Sequence, residues 1–346
     1  MKIRTLSKLF SFLVFTLFGK TVLAAPSDTL NILFIGNSYT HMNVMPVMFR
    51  KICKAKGRIV HVEMNTRSGA SFSEHTQRPD MYESFQKQKW DYVILQGFSR
   101  ELSFTPQYLD SATVPYVSQI IDSVKKYSPC ANVLFYMTWG YKEGFLEREE
   151  IDSYDKMTQC ISNGYCYIGN KFDIPIVPVG EVWRKVANKH KKISLYHNDL
   201  AHPSKYGSYL AACTFYTAIF KESSLGAYTK TISAEVAKTI QTEASDYVLK
   251  NLATYKLDNN YYEIKKETPK PGKYKVACYA NYPNATSITW YFNDGESSNE
   301  PVVEHTFKYP GKHKVNLKVK DECGEHMYTK NLQYAAPPKP KKKSKN

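Results

Sequence analysis

Two short segments hold the residue types that nucleophilic catalysis needs. Gly36-Asn37-Ser38-Tyr39-Thr40 directly follows the apolar, β-branched run Asn31–Ile35, so Ser38 is expected where a strand passes into a helix. A hydroxyl held there sits beside the free N–H groups and the positive end of the helix dipole, which favour developing negative charge. The competing use of a serine at such a place is a helix cap. Far downstream, Asp199-Leu200-Ala201-His202-Pro203 sets an acid and an imidazole three residues apart, so that both can lie on one side of a turn. The carboxylate can then hold one ring nitrogen while the other faces a nucleophile. Ser38 is therefore read as nucleophile, His202 as its base and Asp199 as the acid that orients the base, for acyl-transfer chemistry. The nine histidines do not cluster with carboxylates, and neither Cys-x-x-Cys nor His-Glu-x-x-His occurs, so no metal or other cofactor is expected. His41 and His75 read as exposed loop residues without a role.

From Leu30 to about Tyr228, short apolar runs alternate with longer amphipathic stretches, the pattern of βαβ units around a parallel sheet. Strands are expected at 31–35, 59–64, 92–95, 133–137 and 174–179, and helices at 44–55, 114–127, 149–161 and 204–220. A further helix, 234–253, closes this region. The expected fold class is α/β, a flavodoxin-like three-layer domain with a five-stranded parallel sheet of order 2-1-3-4-5. Its switch point lies between the first and third strands, where Ser38 and Gln96 would flank the ligand crevice. Trp139 and Tyr141, after the fourth strand, would line the same edge, with core packing the equal alternative for Trp139. After Pro269-Lys270-Pro271-Gly272 the pattern changes to alternating strands at 274–280, 287–292, 302–307 and 314–319. Turn signals such as Asn293-Asp294-Gly295 and Pro310-Gly311 separate them, so a small all-β sandwich is expected.

Taken jointly, Leu33-Phe34-Ile35-Gly36-Asn37-Ser38-Tyr39-Thr40, Asp91-Tyr92-Val93-Ile94-Leu95-Gln96 and His202-Pro203-Ser204 with Gly207-Ser208-Tyr209-Leu210-Ala211-Ala212-Cys213 resemble the SGNH (GDSL-like) hydrolases, in a branch of secreted bacterial proteins. The resemblance covers most of residues 30–228. It implies a Ser38, His202, Asp199 triad and an oxyanion hole made by the N–H groups of Ser38 and Gly69. Two positions depart from the family pattern. Asn37 stands where Asp is usual. Gln96 is the nearest counterpart of the amide that the Gly-x-Asn-Asp block supplies, the alternative being a polar strand end. The second region resembles a PKD-type (Ig-like) sandwich through Trp290-Tyr291-Phe292-Asn293-Asp294-Gly295 and His305-Thr306-Phe307.

Basic residues flank the apolar run Leu9–Phe18 and small residues follow, which reads as a signal peptide over 1–24, cleaved near Ala24. The remaining organisation is expected to be a hydrolase domain at 25–258, the sandwich at 262–334 and a basic, solvated tail at 335–346. The net charge of +15 includes four basic residues in the signal and five lysines in the tail, so the folded body carries about +6. That is ordinary surface lysine rather than a nucleic-acid footprint. No later stretch is apolar enough to span a membrane. Seven cysteines in an exported chain leave at least one unpaired. Cys160 with Cys166, and Cys278 with Cys323, are the pairings within one region each. The expected protein is a secreted serine esterase, periplasmic or extracellular, acting on an acylated carbohydrate, most simply its O-acetyl groups. Contact with a polysaccharide or protein would fall to the C-terminal sandwich. The alternative is a non-catalytic glycan-binding or cell-surface interaction protein on the same scaffold.

Overall fold

The computed structural model describes residues 29–227, 232–267 and 274–336. The signal peptide, the Pro269–Gly272 break and the tail beyond residue 336 lie outside them. Five parallel strands, β1 (Leu30–Gly36), β2 (Val60–Thr66), β3 (Tyr92–Leu95), β4 (Asn132–Tyr136) and β5 (Ile176–Val177), form a sheet of order β2-β1-β3-β4-β5. The register sets Ile35 beside Leu95 and Gly36 beside Thr66, so the loops after β1, β2 and β3 emerge together. Helices cover both faces, which is why Ile32–Ile35 and Val93–Leu95 are apolar without alternation and wholly buried. This is a three-layer α/β fold, with helices on both faces of a parallel sheet.

The helices are α1 (Ser38–His41), α2 (Met45–Ala55), α3 (Phe72–Thr76), α4 (Pro79–Gln86), α5 (Pro106–Ala112), α6 (Val114–Tyr127), α7 (Tyr154–Phe172), α8 (Val179–Lys189), α9 (Lys205–Phe220) and α10 (Ala234–Lys250). Helix α9 is buried from Gly207 to Ile219, packed by α2, α8 and α10, hence its largely apolar sequence. Two expectations change here. The strand expected over 174–179 is only two residues long, because Pro175 and Pro178 lack ladder N–H groups and α8 begins at Val179. The helix expected from Glu149 starts at Tyr154, where Ser153 accepts from the Lys156 N–H.

The C-terminal strands are β6 (Tyr261–Lys266), β7 (Tyr274–Asn281), β8 (Ser287–Phe292), β9 (Ser297–Ser298), β10 (Val302–Phe307), β11 (Gly311–Asp321) and β12 (Gly324–Tyr334). They form two antiparallel sheets, β10-β7-β6 and β12-β11-β8-β9. Inward residues alternate, as in Tyr274, Val276, Cys278 and Ala280 of β7, and enclose Trp290, Phe307, Val315 and Leu317. The cysteine pairing differs from both expected pairs: Cys130 joins Cys323, with Cα atoms 5.7 Å apart. Cys160 and Cys166 are both on α7, six residues and about 9 Å along its axis apart, so they cannot meet. Cys278 faces the sandwich interior, whereas Cys323 lies in the turn between β11 and β12.

Candidate active site

Ser38 opens α1, and Asn37, not Ser38, is its cap: the Asn37 Oδ1 accepts from the Tyr39 N–H at 3.1 Å. The serine hydroxyl is thus free for other work. Its Oγ lies 2.8 Å from His202 Nε2, and His202 Nδ1 lies 2.7 Å from Asp199 Oδ2. The three residues expected to act together are therefore brought into one hydrogen-bonded chain.

Asp199 and His202 reach each other through a loop rather than a helical turn. Leu200 takes a left-handed conformation, φ 61°, and the His197 N–H donates to the His202 carbonyl at 2.8 Å. Asp199 Oδ1 accepts from the N–H groups of Ala201 and His202, at 3.0 and 2.9 Å, which turns Oδ2 toward the ring. Burial would raise the Asp199 carboxyl, but these two N–H donors and the His202 ring outweigh it and bring it down to about 2. The acid is therefore ionised at neutral pH.

The loop is anchored from both sides. Asn43, just after α1, donates to the Pro203 carbonyl at 3.0 Å, and the Trp139 indole donates to the Ala201 carbonyl at 3.1 Å. Trp139 is wholly buried between Tyr39, stacked at 4.6 Å, and Trp183, stacked at 3.9 Å. It therefore does not line the cleft as a sugar platform; the stack holds Tyr39, whose ring edge meets His202. Tyr141 does line the cleft, and its hydroxyl is 2.7 Å from Ser99 Oγ.

The cleft encloses about 440 Å³ between Ser38, Ser68, Gly69, Phe98, Ser99, Tyr141 and His202. Gly69 sits in it with φ 73°, a conformation glycine adopts without strain, which turns this loop's backbone along the cleft wall. Gln96 is not in the wall. Its side chain is fully buried, Oε1 accepts from the Asn37 N–H and from Thr40 Oγ1, both at 2.9 Å, and its amide nitrogen donates to the Gly97 carbonyl. The amide is consumed in joining the loops after β1 and β3, so the expected oxyanion donor at Gln96 is corrected. Ser99 is the polar side chain that this loop presents to the cleft. Its signal was the spacing Gly97-x-Ser99, which sets serine where the Gly-x-Asn block has asparagine.

Histidine exposure also differs from expectation. His75 is fully buried beneath these loops, its Nδ1 3.1 Å from an Arg78 nitrogen, and burial first, then Arg78, depresses it to about 4. It is a neutral packing group. His41 is partly buried, 3.1 Å from Thr66 Oγ1, and is lowered by burial and by nearby His202. Glu101 has no counterpart among the sequence motifs, yet its carboxylate accepts from two backbone N–H groups under the cleft.

With this geometry in hand, the relatives can be compared. The PKD domain family model matches residues 276–335. A DUF4886 family protein from Bacteroides uniformis is similar in structure, with a TM-score of 0.56 at 20% identity over 64% of this chain and 95% of that one. An acetyl xylan esterase aligns with a TM-score of 0.43 at 14% identity, over 55% of this chain and 100% of that chain. A GDSL-like lipase from Bacteroides thetaiotaomicron aligns with a TM-score of 0.36 at 18% identity, over 55% and 88%. Comparison with curated proteins gives no match. The chain thus joins a three-layer α/β domain to a C-terminal region in which residues 276–335 match the PKD domain model.

Proposed function

We propose that this protein is an exported serine esterase that removes small acyl groups, O-acetyl above all, from carbohydrate. The observation that carries the reading is the chain Ser38 Oγ to His202 Nε2 and His202 Nδ1 to Asp199 Oδ2 at hydrogen-bond distances, opening onto a cleft. His202 takes the Ser38 proton as Oγ attacks the ester carbonyl, and the N–H groups of Ser38 and Gly69 receive the oxyanion. Collapse expels the sugar alcohol, which takes the proton back from His202. Water, activated by the same imidazole, then frees the acid and restores Ser38. The Ser99 hydroxyl, paired with Tyr141, supplies a neutral donor to the same cleft. A small pocket with Phe98 and Tyr141 on one side and serine hydroxyls beside them suits an acetyl group on a polyhydroxy carrier.

Among the described residues no helix is long and apolar enough to cross a membrane. The test is hydrolysis of an aryl acetate and of acetylated xylan by the purified protein beside Ser38→Ala. Loss of at least about 10³-fold in kcat with KM little changed is expected for the variant. Equal rates in the two proteins, or no hydrolysis by either when both are folded, would reject the esterase and favour a binding role.

A further inference from the structure

Beneath the cleft, one carboxylate spans the two loops that form its walls. Glu101 Oε2 accepts from the Phe98 N–H at 2.8 Å, and both its oxygens lie 3.1 Å from the Phe72 nitrogen. Phe72 is the first residue of α3, three positions beyond Gly69; Phe98 is the residue before Ser99. Gly97 makes room for the carboxylate: a Cβ there would stand 2.6 Å from Glu101 Oε2 and 2.7 Å from the Phe72 ring. No ion pair neutralises Glu101 among the described residues. Its neighbour Arg100 lies instead over the Phe145 ring, 3.7 Å from the centroid. The titratable groups that face Glu101 are Glu74 from α3 and Tyr165 from α7.

A half-buried carboxylate without a cation is costly unless N–H donors satisfy it, and both donors here belong to cleft loops. We propose that Glu101 is a positioning residue for the reaction, an ionised clip that fixes the Gly69 loop against the Phe98–Ser99 loop and so sets the oxyanion site. This rests on the serine-esterase reading above. The clip is pH-sensitive. Burial raises the carboxyl, against the pull of the Phe98 and Phe72 N–H groups and with the help of Glu74, to about 7. Protonation replaces two charge-assisted bonds by weaker ones and places an O–H among N–H donors.

Glu101→Gln keeps the size and removes the charge. Its expected effect is a fall in kcat of about 10²-fold, the scale of a small misplacement at the reacting centre, with KM within about threefold. The acid limb of kcat should also change: in the parent two protonations depress it, at Glu101 and at the base, whereas in the variant only one does. A variant that is folded and matches the parent in kcat and pH profile overturns the clip. Should Glu101→Gln not fold, amide exchange at Phe72 and Phe98 in the parent decides. The raised carboxyl holds its proton only while the loops are closed on it, so protection that strengthens as pH falls from 7 toward 4.5 is expected, and protection unrelated to pH overturns the proposal. Absence of hydrolysis by the parent would reject the esterase instead, and the exchange measurement would still report on the clip.

Discussion

The contacts of Asn37 explain why the residue beside Ser38 is an amide here. Its Nδ2 donates to the Ala70 carbonyl at 3.2 Å and to the Gly97 carbonyl at 3.1 Å, while Oδ1 caps α1. One side chain thus ties the loops after β1, β2 and β3. An aspartate could keep the cap but would set a carboxylate against two carbonyl oxygens in a buried site. Asn37→Asp, although it restores the usual family residue, is therefore expected to cost about 1–3 kcal/mol of stability, measurable by urea unfolding. Glu101 and His75 act on stability in opposite directions. Glu101, raised from its usual 4.5 to about 7, binds a proton in the folded state that the unfolded chain has lost, so its contribution to stability declines as pH rises across that window. His75, depressed from 6.5 to about 4, stays neutral when folded, so its contribution is lost as pH falls from 6.5 toward 4. The two trends offset each other between about 4.5 and 6.5. Glu101→Gln removes one of them, and its thermal midpoint should climb more steeply than the parent's as pH rises over that range. Parallel profiles would mean that Glu101 titrates as an ordinary surface acid.

At the scale of elements, the parallel sheet was legible because its inner strands β1, β3 and β4 are buried on both faces and their apolar runs carry no competing period. So were the long helices α6, α9 and α10, whereas α7 was expected to begin five residues too early. The short helices α3, α4 and α5 were not, since five to eight residues give too little periodicity and their burial comes from the loops they support. That loss bears on the site: α3 supplies the N–H that Glu101 holds, and it carries the buried His75. The positions of Ser38, Asp199 and His202 followed from local sequence, whereas the fates of Gln96 and Trp139 depend on partners 44 to 100 residues away. The Trp139 indole spans two elements, the loop after β4 and the loop of the base, through its bond to Ala201. Trp139→Phe keeps a ring in the Tyr39–Trp183 stack but leaves that carbonyl without its donor. A loss of about 1–3 kcal/mol and a lower kcat, with KM for acetylated xylan unchanged, is expected. A selective rise in KM would return Trp139 to the substrate.

The whole molecule places cleft and sandwich at opposite ends of the parallel sheet. Ser38, Gly69 and Ser99 follow the carboxyl ends of β1, β2 and β3, the end at which ligands meet open α/β sheets. The sandwich meets the other end. Cys130, two residues before β4, is bonded to Cys323, the Asn260 amide approaches Asn132 at 3.5 Å, and Asn281 of β7 donates to the Asp258 carbonyl at 3.0 Å. Tyr328 of β12 lies near enough to Tyr92, the first residue of β3, to help burial raise its phenol. Among the described residues the PKD region therefore contributes no wall to the cleft, and its influence on a small ester has to pass through stability. The bond closes a separation of 193 residues, so removing it enlarges the unfolded ensemble considerably. Cys130→Ser with Cys323→Ser is expected to lower unfolding free energy by about 2–4 kcal/mol while aryl acetate hydrolysis stays within about twofold of the parent below the melting range. If the double variant, still folded, lost that activity, the sandwich would have to brace the catalytic loops through the sheet, and the separation of the two ends would not be the insulation described here.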